Sequence, residues 1–111
     1  MRLIPQRDAT PKRLVHILEV LQGTDYELGT AGWIKGRLNS PDGYCVIGAI
    51  EVQTPFPGSS NAKWWAKRYI EDAAKITSIA EWNDDPKRTY KQVDAAIQKA
   101  IKQVKKELAR G

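Results

Sequence analysis

Apolar residues recur at helical spacing in the first third of the chain. They occupy positions i, i+3, i+4 and i+7 of one helical face, namely Leu14, Ile17, Leu18 and Leu21. Thr10 is a typical N-cap residue, and Pro11 suits the first helical position because an amide hydrogen there would have no partner. Gly23 is a typical stop signal. The pattern therefore predicts an amphipathic helix over residues 11–22.

Two more amphipathic helices are predicted in the second half. The earlier one begins at a cap formed by Ser60 or Asn61 and ends near residue 76, and its apolar face consists of Trp65, Ala66, Tyr69, Ile70, Ala73 and Ile76. The later one follows Thr89, which is predicted to form a capping box with Gln92. It ends near residue 108, and its apolar stripe consists of Tyr90, Val93, Ile97, Ala100, Ile101, Val104 and Leu108.

The region between the first helix and these two later helices has a different pattern. Residues 24–39 lose the helical spacing and contain Gly29, Gly32 and Gly36, which predicts a glycine-rich loop with room for a small β-hairpin. Residues 40–42, Ser-Pro-Asp, predict the start of another helix. The segment that follows, residues 44–50, is apolar on every face, as in a central buried helix. Gly48 inside it predicts the close approach of a neighbouring element.

Together these elements predict an all-α or mainly α fold, a compact bundle of about four helices around residues 44–50. A chain of 111 residues with 41% hydrophobic content is expected to form a single domain over residues 1–111. Within it, residues 1–9 are expected to be an arm, residues 54–60 a surface loop and residues 109–111 a frayed tail. A short turn is expected between residue 76 and Trp82.

Composition excludes several classes of protein. Mean hydropathy is −0.52, and no apolar run is longer than residues 46–50, so a membrane span is not expected. The first residues lack the apolar segment of a signal peptide, which predicts a cytoplasmic protein. One cysteine and one histidine allow neither an internal disulfide nor a usual four-ligand metal site, so no metal and no cofactor is expected.

Positive charge is concentrated at the end of the chain. Residues 87–111 contain eight basic and two acidic residues, whereas the preceding part contains ten basic and eleven acidic residues. Five of the basic residues fall opposite the apolar stripe of the last helix, namely Lys91, Lys99, Lys102, Lys105 and Lys106. Such a face either binds an anionic partner or is simply solvated.

Trp64 is a second candidate binding residue. It is predicted on the helix that ends near residue 76, on the face opposite the apolar residues and beside Arg68 and Lys75. An exposed indole next to cations can stack on a base or anchor a protein interface. The alternative is that Trp64 packs beneath the loop of residues 54–60.

Two dense blocks of aromatic, glycine and polar residues, 32–50 and 81–89, are typical of segments that determine a fold. The residues predicted to have structural roles there are Trp33, Cys45, Gly48, Trp82, Asn83, Asp84 and Thr89. The motifs G-W-x-x-G, C-x-x-G-A-I and W-N-D-x-P-x-R-T in these blocks resemble a family of small proteins from bacteriophages and bacteria, defined only as a domain of unknown function. The resemblance spans about residues 11–100 and implies a phage-related accessory protein without an assigned activity. The lysine-rich last helix departs from that pattern, so the family implies no role for it.

Two groups of residues leave an enzyme open as an alternative. Cys45, predicted near the start of a helix, is either a thiolate nucleophile or a buried packing residue, and the packing role is the expectation. The acids Glu81, Asp84 and Asp85 either bind Mg²⁺ or form turns and stabilise the start of the last helix. The turn and capping roles are the expectation here.

The function expected from these observations is non-enzymatic. We expect a phage-type accessory protein that binds a host protein or protein complex, with inhibition of a host defence system as its biological role. The alternatives are a protein that binds or sequesters a nucleotide or nucleic acid, and a small enzyme that uses Cys45 or the acids at residues 81–85.

Overall fold

The computed structural model describes residues 11–53 and 59–110. Its elements, in chain order, are α1 (Pro11–Ala31), β1 (Asn39–Ser40), β2 (Gly43–Tyr44), α2 (Val46–Glu51), α3 (Ser59–Ala74), α4 (Ile79–Asp84) and α5 (Tyr90–Arg110). The predicted arm, the Thr10 cap, residues 54–58 of the predicted loop and residue 111 lie outside the described residues. The mainly α fold with a small hairpin is confirmed.

The core lies between the three long helices. α1, α3 and α5 pack against one another, and the short α2 contacts α1, α3 and α4. Each contributes large side chains that are almost completely buried, including Ile17, Leu21, Ile50, Ile70 and Ile97. α2 is central and buried, as the apolar segment predicted, although it is only six residues long. None of the helices in the described part of the chain is long and apolar enough to cross a membrane.

α1 is nine residues longer than predicted, because Gly23 does not end it. The apolar face continues through Thr24 and Leu28, both buried, and the Thr24 hydroxyl donates to the Val20 carbonyl at 2.8 Å. A Cβ atom at position 23 would lie 1.8 Å from Oε1 of Gln53. The glycine thus makes room for a side chain from beyond α2, and the predicted loop begins only after Ala31.

Residues 40–42 form a hairpin turn, so the predicted helix start at Ser40 is wrong. β1 and β2 pair antiparallel, with Ser40 opposite Gly43. Pro41 and Asp42 form the two-residue connection, and the Asp42 amide donates to the Ser40 hydroxyl at 3.1 Å. Gly43 has φ +138°, a conformation that side chains rarely adopt. The helix begins later, at Val46, because Cys45 is its N-cap.

Gly48 brings α2 against the loop, as predicted. A Cβ atom there would lie 1.9 Å from the carbonyl oxygen of Leu38. That same oxygen accepts a hydrogen bond from the Cys45 amide at 3.1 Å. The backbone of the loop therefore packs directly on the first turn of α2.

α3 and α4 differ from the prediction at their ends. α3 begins at Ser59, so Asn61 lies inside it, and it ends at Ala74 rather than at Ile76. The predicted turn before Trp82 is wrong, because residues 79–84 form α4. The Ser78 side chain caps α4 by accepting from the Glu81 amide at 3.2 Å. A helix of six residues is too short to show an apolar period in the sequence.

α5 follows its prediction closely. The capping box is confirmed, with the Thr89 amide donating to the Gln92 side chain at 3.1 Å and the Gln92 amide donating to the Thr89 hydroxyl at 3.2 Å. The helix continues to Arg110, so it includes residues 109 and 110 of the predicted tail. Of the predicted apolar stripe, Tyr90 is 37% exposed and Leu108 is half-buried.

Candidate functional site

Asn83 connects the two dense sequence blocks. Its side chain is 1% exposed, and Oδ1 accepts from Nε1 of Trp33 at 2.7 Å and from the Val46 amide at 3.0 Å. Nδ2 donates to the Ile34 carbonyl at 3.1 Å and to Oδ1 of Asp84 at 3.0 Å. The two lone pairs and the two amide hydrogens are therefore all used. We call this cluster the Asn83 junction, and it ties the loop, α2 and α4 together.

Arg88 makes two contacts with Trp82 of α4. The Trp82 indole is 8% exposed, and the Arg88 guanidinium lies over it at 5.0 Å from the ring centroid. Nε of Arg88 also donates to the Trp82 carbonyl at 2.9 Å. This contact connects the end of α4 to the start of α5. Trp82 is a core residue, as expected.

Two of the three acids of the second block, Asp84 and Asp85, are used in local structure. Asp84 accepts from the Gly36 amide at 2.9 Å, and this bond, helped by the one from Asn83, lowers the pKa of Asp84. Asp85 accepts from the Lys87 amide at 2.8 Å, as in an Asx turn. Glu81 is exposed in the first turn of α4. Within the described ranges, no group of three or more acidic, histidine or cysteine side chains is arranged to hold a metal ion.

Cys45 is a free thiol that is only 7% exposed. Its sulfur accepts a hydrogen bond from the Gly48 amide at 3.3 Å. The side chain therefore takes the N-cap position that serine or aspartate usually occupies. This placement gives the thiol a packing and capping environment, and its burial restricts the access of a substrate.

The lysines of the last helix form one exposed face. We use the name lysine face for Lys91, Lys99, Lys102, Lys105 and Lys106, all of which are exposed while the opposite side of α5 is buried. At 1.5 Å per residue, the face is about 22 Å long. Among the residues that the structure describes, none of these lysines forms an ion pair.

A surface groove of about 780 Å³ lies between the last turns of α3 and the middle of α5. We call it the α3–α5 groove. Its lining includes the cations Arg68, Lys75 and Lys99, the acids Glu71 and Asp72, and the apolar side chain of Ile76. Lys99 also lines a smaller hollow of about 420 Å³ with Lys102 and Lys105. The tertiary structure therefore joins the two sets of basic residues that the sequence separated.

Lys75 has an unusual backbone conformation. Its φ is +58°, in the left-handed region, where a residue other than glycine is disfavoured by about 1 kcal/mol. The Lys75 amide bonds the Asp72 carbonyl at 3.3 Å, and the Ile76 amide bonds the Glu71 carbonyl at 3.0 Å. This is the Schellman arrangement that ends α3, in which glycine is usual at the position of Lys75.

Trp64 is 51% exposed and lies outside the groove lining. The Arg68 guanidinium lies over its ring at 5.4 Å from the centroid, and the Trp65 ring packs edge-on against it at 4.5 Å. Arg68 also lies 3.7 Å from the Glu71 carboxylate. Arg68 thus connects Trp64 to the groove, whereas Lys75 lies apart from the indole. The alternative packing under residues 54–58 lies outside the described residues.

One buried and one partly buried polar feature were not predicted. Glu107 is 7% exposed on the core side of α5, where it accepts from the Tyr69 hydroxyl at 2.5 Å and from the Gln103 amide group at 2.7 Å. Burial, and then a hydrogen bond with Asp94, raise the pKa of Asp25. The only sequence signal for either was an acid placed next to apolar positions, and that signal is weak without the fold.

Comparison with known proteins identifies one similarity. A model described as a family of unknown function (DUF6197) matches residues 12–103, which cover both dense blocks and most of α5. No curated protein and no solved structure matches the chain.

Proposed function

The chain belongs to the DUF6197 family, whose function is not known, and we propose that this protein is a non-enzymatic binding protein. In this proposal the lysine face of α5 docks on an acidic surface of a host protein in the bacterial cytoplasm. The observation that carries it is the division of α5 into a buried apolar side and an exposed side, whose five lysines form no ion pair with any described residue.

The composition of the lysine face favours a protein partner over a nucleic acid. Its five cations are all lysines, which act as flexible, hydrated point charges rather than as the planar forks of arginine. Exposed aromatic side chains that would stack on bases are absent from the described residues between Lys91 and Lys106. Such a face suits electrostatic steering toward an acidic protein surface. Nucleic-acid binding stays the second candidate, because a row of lysines about 22 Å long can also follow phosphates.

The host-directed part of the proposal rests on the motif resemblance. The motifs around Trp33, Cys45 and Asn83 resemble phage-related accessory proteins, and this supports inhibition of a host defence system as the biological role. Expression in a bacterial host that carries a defence system, followed by phage plating, tests this part. Unchanged plating efficiency across a panel of defence systems would contradict it.

Two features argue against the enzyme alternative. The Cys45 thiol is buried and accepts a hydrogen bond from Gly48. Asp84 and Asp85 already accept hydrogen bonds from backbone amides of the loop and the α4–α5 turn. These contacts support structural roles for the residues that an enzyme would have used.

The test compares wild type with the triple variant Lys99→Glu, Lys102→Glu and Lys106→Glu. The tagged proteins are used to capture partners from a nuclease-treated lysate of the host, and each captured protein is then purified. We expect the triple reversal to weaken binding of the purified partner by about tenfold or more and to slow association, since charges steer encounter. Folding should be nearly unchanged because exposed charges contribute little to stability.

A matched control reverses three exposed cations elsewhere, with Lys12→Glu, Arg37→Glu and Lys87→Glu. The net charge changes equally in the two triple variants, so only a local interface would make their binding affinities differ. Equal loss of binding in both would mean that net charge, and not the lysine face, controls binding. Tighter binding of duplex DNA than of any captured protein, with a log–log salt slope near one per phosphate contact, would support the second candidate.

A further inference from the structure

The α3–α5 groove has a lining of mixed chemistry. Arg68, Lys75 and Lys99 supply three positive charges, whereas Glu71 and Asp72 supply two negative ones. Ile76 and the almost completely buried Tyr69 provide an apolar floor. The groove adjoins the lysine face through Lys99, which lines both this groove and the smaller hollow beside Lys102.

The backbone conformation of Lys75 is the second observation that points to the groove. Among the described residues it is the one non-glycine residue with positive φ, at a helix end where glycine has the lower conformational energy. The lysine side chain is exposed and lines the groove. The left-handed conformation closes α3, and glycine would adopt it at lower conformational energy, so the lysine side chain that lines the groove is a candidate for a functional role.

We propose that the α3–α5 groove binds an acidic peptide segment of the protein partner, with an apolar side chain of that segment against Ile76. Carboxylates of the segment pair with Lys75 and Lys99. This inference rests on the proposed function, because it assigns the specific contact within the same lysine-rich surface. The lysine face supplies long-range attraction, and the groove supplies the short-range contact.

The charge pattern decides between a peptide and a nucleic acid. Grooves that bind single strands are positively charged along the backbone path and present stacked aromatic side chains. Here Glu71 and Asp72 would repel a strand that carries a phosphate at every nucleotide, whereas a peptide can place uncharged residues opposite them. A peptide satisfies both signs, because its carboxylates face the lysines while its backbone amides or a basic side chain face the acids.

The probe is a synthetic peptide of about twelve residues composed of Glu, Leu and Ser, a length that spans about 40 Å when extended. It is titrated into the full ¹⁵N-labelled chain, and amide chemical shifts are followed. Two matched peptides replace every Glu by Gln or every Leu by Ala. A thymidine oligonucleotide of equal length is the nucleic-acid arm. We expect saturable shifts at Lys75, Ile76, Lys99 and Gln103 with the first peptide, and weaker binding of the two matched peptides.

The decisive variant is Lys75→Gly. It removes the ammonium group and relieves the backbone strain, so the melting temperature should stay level or rise while peptide affinity falls about threefold to tenfold. The control Lys87→Gly makes the same exchange on an exposed turn outside the groove, and affinity should change by less than about twofold. Shifts that map elsewhere, unaltered affinity in Lys75→Gly, or tighter oligonucleotide binding in the groove would each overturn the inference.

A last comparison separates this inference from the proposed function. The double reversal Lys102→Glu and Lys106→Glu changes the lysine face outside the α3–α5 groove. If it weakens binding of the captured partner while Lys75→Gly does not, the groove inference fails and the proposed function stands. If neither variant weakens binding, both fail.

Discussion

Asn83→Ala should be one of the most destabilising polar substitutions in this protein. Its amide side chain is the common partner of Nε1 of Trp33, the amide of Val46 and the carbonyl of Ile34. Removal leaves these three groups without that partner. A buried polar group without a partner costs about 1 to 3 kcal/mol, and the smaller value applies where water can enter.

The magnitude follows from the burial of each group. The hydrogen bond to the Val46 amide is buried, whereas those involving Trp33 and Ile34 are partly buried and can be replaced in part by water. We expect a total loss of about 4 kcal/mol, out of about 5 to 15 kcal/mol for a domain of this kind. Urea denaturation followed by circular dichroism measures this loss.

Asn61→Ala is the matched control, because Asn61 is an exposed asparagine inside α3. It should change the free energy of unfolding by less than about 0.5 kcal/mol. Trp33→Phe removes the indole donor and should cost about 1 to 2 kcal/mol in wild type. It should cost less in the Asn83→Ala background, since the two residues share one hydrogen bond. A loss below about 1 kcal/mol for Asn83→Ala, or additive effects of the two variants, would refute the junction.

Three further predictions concern the fold. Gly48→Ala should destabilise the protein by about 3 kcal/mol or more, because its methyl group meets the Leu38 carbonyl. Gly29→Ala has no contact closer than 3.7 Å and should stabilise α1 by about 0.5 to 1 kcal/mol. Thermal melts of both variants check this pair, and equal effects would contradict it. Cys45→Ala should cost about 1 to 2 kcal/mol through the lost cap, and the native thiol should react slowly with a thiol reagent; rapid labelling would show that Cys45 is accessible. Asp25→Asn should stabilise by less than about 1 kcal/mol at pH 7. Because folding raises the pKa of Asp25, protonation of this carboxyl group favours the folded state. Its contribution to stability is fully present below the unfolded pKa of about 3.9 and is lost as pH rises through the folded pKa. The gain from Asp25→Asn should therefore disappear near pH 3 in urea titrations, and a gain independent of pH would exclude the carboxyl pair as its cause.

Local signals predicted the elements whose causes lie within a few residues. The capping box at Thr89 and the apolar stripe of α5 are sufficient to define that helix from Tyr90 almost to its end. The all-round apolar character of residues 44–50 was enough to place α2 in the core. The predicted structural roles of Trp82 and Asn83 agree with their burial, but nothing in the sequence identified Asn83 as the shared partner of two distant segments.

Where local signals were ambiguous, tertiary contacts decided the outcome. Gly23 is a usual helix stop, yet α1 continues because Leu28 gains burial and Gln53 occupies the space beside the glycine. Pro41 suits the first turn of a helix and a hairpin turn equally well, and the pairing of β1 with β2 selected the hairpin.

The sequence by itself determined the helical class, the position of the buried segment and the division of α5 into an apolar and a basic side, because apolar spacing and caps act between neighbours in the chain. Only the tertiary structure brought Lys75 and Arg68 of the α3 region beside Lys99 of α5. It also buried Glu107 against Tyr69 and aligned Asn83 with Trp33, fifty residues away. These contacts depend on how the helices pack in three dimensions, and no short-range pattern encodes that packing.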